Sequence, residues 1–478
     1  MTKRLIPFAL ILFLLADLGY SFLQHSAQPL DGDMAWNIVP ASDVAHILEN
    51  PFGTGVILKH ESYPNPNRFF CHYAMKSYFD AAPLFLQKFT DPVNSIYLSC
   101  ALVKIVIQIF LIFLLAMAVS GTWNVFSLDF LIAATLVTPF FQTNGYQSYT
   151  GIIDRSPTYT FFYALPCAFL LLYFLPFIRQ YYHNIKPGNR VLIHILWIPL
   201  AIVISLSGPL NPGVVLICTL LLLAGSAYKI VTKQNHQGFF RKMHSIISTI
   251  PRNYWFFLMP AAIFSLYSLY LGSYNTNDIH VPLGELYSRL PAGLYYPFTK
   301  KLGFPVIFAI LSLNYFIINR NFKTPEGKKI LTIFQWMVVF SVVYFLLLPL
   351  GGSRDNRPNV LRYDTMMPFT ISLIMVFGIS ALFLIKNLAG KQKKWFLAVV
   401  FGVLLLFTIN DEALFDKNQC ERAALMEISK ANGNTVRLPG DCKVLSWKKT
   451  ATPEESKLNS ELLTMWRVTK VNTLYYNE

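Results

Sequence analysis

Long apolar runs separated by short polar segments dominate the chain. A run of about twenty apolar residues can cross the hydrocarbon core of a bilayer as an α-helix, and eleven runs approach that length. The pattern predicts an all-α fold, a polytopic transmembrane helical bundle. The predicted spans lie near residues 5–24, 96–119, 126–142, 157–178, 191–208, 213–230, 254–272, 304–319, 330–350, 366–386 and 395–410.

Lysine and arginine are concentrated in alternate loops. The loops after the fourth, sixth, eighth and tenth spans each hold a cluster of them, and Lys3 and Arg4 precede the first span. Cytoplasmic loops carry such an excess of cations. With eleven spans these segments all fall on one side, so we expect a cytoplasmic N-terminus and an extracytoplasmic C-terminus in a multi-pass protein of a bacterial inner membrane.

The opposite, outer side then receives the longer polar segments. They are a first loop at 25–95, loops at 143–156, 273–303 and 351–365, and a tail at 411–478. The tail has the composition of a soluble protein, so we expect a transmembrane domain over 1–410, including the loop 25–95, and a small soluble tail over 411–478. A disulfide between Cys420 and Cys442 is expected in an oxidising compartment; two free thiols are the alternative.

Composition agrees with a membrane protein, and charge does not suggest nucleic acid. The 478 residues are 54% hydrophobic and only 14% charged, whereas soluble proteins carry about 25% charged residues. The net charge of +15 comes from short cationic loops, not from a continuous basic face with stacking aromatics. Membrane lipids are therefore the expected partners, and no nucleic acid is expected.

An acidic turn follows the first span. Asp31 and Asp33 flank Gly32, and two carboxylates so placed at a membrane surface can supply a general base, since burial raises a carboxyl pKa toward neutrality. The same oxygens can alternatively hold a divalent cation, the one cofactor considered. The simplest alternative is a hydrogen-bonded turn that ends a helix.

The loop at 351–365 carries three arginines on the side expected to be poor in cations: Arg354, Arg357 and Arg362. The planar guanidinium matches the oxygens of a phosphate group, so these residues are candidates for a lipid-phosphate site. Structural ion pairs with Asp355, Asp364 or carboxylates of the first loop are the alternative.

Two further outer segments carry candidate substrate ligands. Tyr146, Asp154 and Arg155 lie in the loop 143–156, and Arg68 and His72 follow a proline-rich turn in the first loop. Most such loops only connect helices, and a lone histidine more often packs than binds a ligand. His60 and His72 do not have the spacing of a metal site.

The succession of one helix, a long outer loop that opens with acidic residues, and about ten more spans resembles the GT-C superfamily of integral membrane glycosyltransferases. Protein O-mannosyltransferases and lipid A aminoarabinose transferases belong to it. Arg362 and Tyr363, before a late span, also look like a feature of that family. Its members often have an Asp-Glu pair where this chain has Asp31, Gly32 and Asp33.

The resemblance implies an inverting transfer of a sugar from a polyprenyl-phosphate donor to a lipid, glycan or protein acceptor outside the membrane. It implies that Asp31 or Asp33 is the base and that an arginine binds the phosphate. A transporter or lipid flippase and a non-catalytic membrane subunit are the alternatives. Transport is disfavoured because the spans contain few ionisable residues, Asp17 and Lys104 among them. A subunit would leave the acidic turn and the arginines far apart.

Overall fold

The computed structural model describes residues 2–144, 150–185, 190–233, 248, 252–354, 360–431 and 433–477. Helices account for most of this part of the chain, and the strands within it form one short parallel pair. In chain order the helices are α1 (Thr2–Ser26), α2 (Met34–Ile38), α3 (Ser42–Glu49), α4 (Thr54–Lys59), α5 (Phe69–Leu86), α6 (Pro92–Ser120), α7 (Leu128–Val137), α8 (Pro157–His183), α9 (Arg190–Ser205), α10 (Leu210–Lys233), α11 (Arg252–Gly272), α12 (Leu283–Ser288), α13 (Leu290–Thr299), α14 (Gly303–Asn321), α15 (Pro325–Leu347), α16 (Met367–Asn387), α17 (Gly390–Ile409), α18 (Gln419–Lys430) and α19 (Lys457–Met465).

Within these ranges eight helices are long and apolar enough to cross a membrane, namely α1, α6, α8, α11, α14, α15, α16 and α17. The other three predicted spans coincide with shorter apolar stretches, Leu128–Phe140, Ile195–Ser205 and Leu210–Gly225. The prediction of a multi-pass helical membrane protein is confirmed. The total of eleven spans stays a prediction.

The helix ends alternate between two sides of the bundle. At one side Arg422 contacts both Ser26 at the end of α1 and Asn94 at the start of α6. At the other side the Arg179 guanidinium of α8 donates to the Gly121 carbonyl, 3.1 Å away, just after the end of α6. This alternation agrees with the predicted order of spans. Which side faces the cytoplasm stays a prediction. The outer side is the end of the bundle where Ser26 lies.

Helices α6 and α16 form the centre of the bundle. In their most apolar windows 72% and 83% of the residues are buried, against 6% in α1 and 17% in α17. The apolar surface that α1 and α17 expose must therefore face lipid, because a bundle without a membrane would leave it in water.

The long first loop is folded on the outer side as helices α2 to α5. The tail packs against it: the Trp466 indole donates to the Phe79 carbonyl of α5 at 3.0 Å, and the Gln87 amide donates to the Trp466 carbonyl. The tail contains α18, α19 and the parallel strands β1 (Thr435–Leu438) and β2 (Leu474–Asn477). Cys420 and Cys442 form a disulfide, as predicted. The tail thus completes the outer surface of the membrane domain.

Candidate active site

The candidate site is built around the outer end of α8. Ser156 precedes the helix and its hydroxyl accepts from the Tyr159 N–H at 3.2 Å, while Pro157 takes the first helical position. Serine before proline is a favoured way to start a helix. One turn later Thr160–Ala164 adopts a π-helix. Such single wide turns occur often at functional sites.

Asp31 joins the first loop to this helix start. Its Oδ2 accepts from the Ser156 hydroxyl at 2.7 Å and the Thr158 N–H at 3.0 Å, and its Oδ1 accepts from the Thr158 hydroxyl and the Asp33 N–H, both at 2.9 Å. Burial raises the pKa of Asp31, and the hydrogen bonds from Ser156 and Thr158 oppose that rise. Both oxygens are occupied by N–H and O–H donors, which favours the turn interpretation for Asp31 and does not fit a metal ligand.

Asp33 is the more accessible member of the acidic turn. It is partly buried, and its Oδ1 accepts from the Trp447 indole at 3.1 Å. Its Oδ2 has no partner in the part of the chain that the structure describes. A Cβ at Gly32 would lie 2.6 Å from the Trp447 backbone nitrogen, so glycine is required for the tail to cover the turn this closely. Asp33 therefore has a carboxylate oxygen open to a ligand.

The loop around Arg362 reaches the same helix end. The Tyr363 hydroxyl donates to the Asp154 carboxylate, which also accepts from the Ser156 N–H at 2.7 Å. Burial raises the pKa of Asp154, and the hydrogen bond from Tyr363 opposes it. Arg362 is held by Asp364 through two hydrogen bonds of 3.0 and 2.8 Å. The arginine-rich loop and the acidic turn thus both contact residues 154–158.

Lys104 of α6 lies beneath these carboxylates. Its ammonium donates to the Arg155 carbonyl and interacts electrostatically with Asp154 and Asp31. Lys104 is almost completely buried, whereas the Arg155 side chain is exposed. A buried cation near the buried Asp31 and the partly buried Asp154 lowers the free-energy cost of keeping these carboxyl groups ionised away from water.

Arg68 and the π-helical turn form a narrow cleft beside this cluster. The Arg68 guanidinium lies 5.9 and 6.0 Å from the ring centres of Phe162 and Tyr163. Arg362 interacts electrostatically with Tyr163 from its own side. Among the described residues Arg68 has no ion pair or side-chain hydrogen bond. A partly buried cation with no counter-charge is a site for an anion.

Asn211 at this cleft, and His72 behind its Phe162 wall, have side-chain atoms without a hydrogen-bond partner. Asn211 lines the cleft, and its side-chain oxygen has no partner. His72 packs 4.8 Å from the Phe162 ring, and neither of its ring nitrogens has a partner. Burial, reinforced by Arg68, lowers the pKa of His72 to about 3. The histidine is therefore neutral at pH 7 and is a hydrogen-bonding group, not a charged one.

The remaining predicted ligands lie elsewhere. Arg354 donates to the Asn65 side chain at 2.7 Å and lies 3.8 Å from Asp278, so it contacts the first loop and the loop 273–303. Arg357 and Tyr146 lie outside the described residues. Over those that are described, no group of three or more His, Cys, Asp or Glu side chains could hold a metal ion.

Two residues at the site were not predicted from the sequence. Lys104 was visible as a charge inside a span, but its partners are distant in the chain. Tyr163 lies in an apolar run, where no polar neighbours mark it as a site residue. The only available clue was its spacing of four from Tyr159, which places the two rings on one face of a helix, 5.7 Å apart.

Similarity to known proteins gives no further guide to the site. A scan of the sequence against known protein families found no match, and searches of curated proteins and of solved structures found none either. The interpretation of the site therefore rests on the contacts between the first loop, α8 and the Arg362 loop.

Proposed function

We propose that the protein is a membrane glycosyltransferase that takes a sugar from a polyprenyl-phosphate donor on the outer side and transfers it with inversion. The observation that supports this most is the convergence at the start of α8. Asp31 binds Thr158 and Tyr363 binds Asp154, so the acidic turn and the Arg362 loop share one short helical segment. A non-catalytic subunit predicts instead that the acidic turn and the Arg362 loop lie far apart.

Arg68 is the best candidate for the donor phosphate. Arg362 has its guanidinium fork engaged by Asp364, whereas Arg68 lies beside the aromatic rings of the π-helical turn and makes no ion pair within the described residues. The cleft has a volume of about 10 Å³, room for about one water molecule. Donor binding therefore requires the long Arg68 side chain to swing out and meet the phosphate at the mouth of the cleft.

Asp33 is the proposed general base, and Asp31 positions it. The open Oδ2 of Asp33 takes the proton of the acceptor hydroxyl as that oxygen forms its bond to the anomeric carbon. The bond from the anomeric carbon to the phosphate oxygen breaks, and the lipid phosphate leaves with the electron pair. Negative charge grows on the phosphate, so a nearby guanidinium stabilises the transition state.

One observation favours a second candidate, a proton-coupled transporter or flippase. Lys104 is a buried charge inside a span, and it interacts with Asp31 and Asp154. Ionisable groups in such positions often mark ion or proton pathways. This candidate predicts lipid or solute movement in sealed proteoliposomes that depends on Lys104 and needs no sugar release.

The test is sugar release from lipid. Purified protein in proteoliposomes is given radiolabelled hexosyl and pentosyl polyprenyl phosphates, and the label leaving the organic phase is measured. Losing a charge-assisted hydrogen bond typically costs about 1.5–3 kcal/mol, or roughly 10- to 150-fold in rate. Arg68→Ala should fall in that range.

Two variants control this test. Arg68→Lys should recover only part of the rate, because an ammonium cannot reproduce the planar fork. Arg467→Ala removes an exposed tail arginine that lines no part of the site and should match the parent. Release by Arg68→Ala at the parental rate would reject the phosphate assignment. Failure of the parent on every donor would reject the glycosyltransferase proposal and favour transport.

A further inference from the structure

A larger cavity lies apart from the candidate active site, between the outer end of α1 and the start of α18. Its volume is about 480 Å³, within the range of small-molecule sites. Leu23, Ala27 and Phe415 give it an apolar side, and Gln419 and Arg422 give it a polar side. The cavity therefore has one apolar and one polar wall, as a binding site for an amphiphile needs.

Arg422 brings an uncompensated charge to this cavity. Its guanidinium donates to the Asn94 side chain and, at 3.2 Å, to the Ser26 carbonyl, and it lies 4.0 Å from the centre of the Tyr97 ring. All three partners are neutral. No ion pair of Arg422 is found over the described ranges. These contacts fix the orientation of the guanidinium and leave other N–H donors for an anion.

The neighbouring acid does not neutralise Arg422. The Glu421 carboxylate is buried and accepts from two backbone N–H groups, those of Leu30 at 2.8 Å and Leu445 at 3.0 Å, and from the Tyr97 hydroxyl at 2.9 Å. Its oxygens are thus occupied by other partners. The positive charge at the cavity wall is left without an opposing carboxylate contact.

An apolar track on α1 leads up to the cavity. Its exposed side chains recur every three or four residues along one face of the helix, at Leu5, Phe8, Leu12, Leu15 and Leu23, with the exposed Gly19 between the last two. Leu23 belongs both to this face and to the cavity wall. A hydrocarbon chain lying on α1 would therefore have its head beside Arg422.

We infer that this cavity binds an anionic phospholipid, with its phosphate at Arg422 and Gln419 and one hydrocarbon chain along the exposed face of α1. A soluble phosphate could satisfy the same guanidinium, but the apolar wall and the track on α1 match a lipid. The site is separate from the Asp33 and Arg68 region and does not depend on the proposed reaction.

The experiment changes charge at Gln419, which is exposed and makes no side-chain hydrogen bond in the described part of the chain. The full chain in detergent is titrated with phosphatidylglycerol or phosphatidylcholine, and bound lipid is counted by native mass spectrometry. Gln419→Glu should raise the apparent Kd for phosphatidylglycerol about tenfold, a shift typical of one charge-assisted contact. Gln419→Lys should not raise it.

Two more variants complete the test. Arg422→Gln should weaken phosphatidylglycerol binding as Gln419→Glu does. Lys430→Gln removes an exposed charge at the far end of α18, away from the cavity, and should bind like the parent. Thermal unfolding of each variant shows whether it is folded, and Gln419→Glu disrupts no hydrogen bond that folding needs.

The outcomes separate the possible occupants. Parental preference for phosphatidylglycerol over phosphatidylcholine, lost in Gln419→Glu, supports the inference. Equal binding of both lipids, or equal affinity in Gln419→Glu and Gln419→Lys, overturns it. Binding of inorganic phosphate that depends on Arg422, without preference for phosphatidylglycerol, also overturns it and assigns the cavity to a soluble anion.

Discussion

The clearest structural prediction concerns Asp31→Asn. Asparagine keeps the shape of the side chain but replaces one carboxylate oxygen with an NH₂ group. In the parent, Oδ1 accepts from the Asp33 N–H and Oδ2 accepts from the Thr158 N–H. Whichever way the amide turns, its NH₂ faces a backbone N–H that cannot rotate away. The variant therefore leaves at least one buried donor without an acceptor.

The size of the effect follows from these contacts. A buried donor left unpaired costs about 1–3 kcal/mol, and hydrogen bonds to a charged acceptor are worth more than neutral ones. Ser156 and Thr158 can rotate their hydroxyls and recover part of the loss. We expect a net destabilisation of about 3 kcal/mol.

Fluorescence-monitored thermal unfolding in one fixed detergent measures this effect. Asp31→Asn should melt several degrees below the parent. Thr158→Val removes the hydroxyl partner of Oδ1 and should cost less by itself. The double variant should cost less than the sum of the two, because the residues share one interaction. An Asp31→Asn protein that melts with the parent would refute the anchoring role of this carboxylate.

Three further predictions concern other parts of the molecule. Burial raises the pKa of Glu421 from 4.5 to about 7, so the stabilisation by the neutral side chain is full below pH 4.5 and is lost as pH rises through 7, by about 3 kcal/mol. Glu421→Gln should therefore flatten the dependence of the free energy of unfolding on pH, measured from pH 5 to 8. An unchanged dependence would contradict this prediction. Tyr363→Phe should lower sugar release about tenfold and should also lower the melting temperature, because the Asp154 carboxylate loses a hydrogen-bond donor; parental release would remove Tyr363 from the site. Reporter fusions after Lys394 and at Glu478 should report opposite sides of the membrane, whereas the same side for both would contradict a membrane crossing by α17 and with it the eleven-span topology.

Hydropathy was enough to predict most helices, because each span is set by its own local sequence. The predicted spans 191–208 and 366–386 correspond to Arg190–Ser205 and Met367–Asn387. The span predicted at 126–142 is α-helical only as Leu128–Val137 and continues as one 3-10 turn to Phe140. Pro139 follows in a tight turn, where its missing N–H and ring disfavour continuation of the helix.

The candidate site was predicted only in part. The acidic turn was visible because two carboxylates flank a glycine after a span, but no local pattern could show that Asp31 would bind residues 125 and 127 positions away. The separate roles of Asp31 and Asp33 follow from those long-range contacts. The same holds for Trp447, which reaches the turn from 414 residues away.

The central claim is that Asp33 is the base of a sugar transfer from a polyprenyl phosphate. The most direct measurement is the turnover of Asp33→Asn in the sugar-release assay, with donor binding measured on the same preparation. A general base contributes about 10²–10⁴-fold to rate, so turnover should fall by that factor while donor affinity stays near the parental value. Parental turnover in a folded, membrane-inserted Asp33→Asn protein would contradict the account.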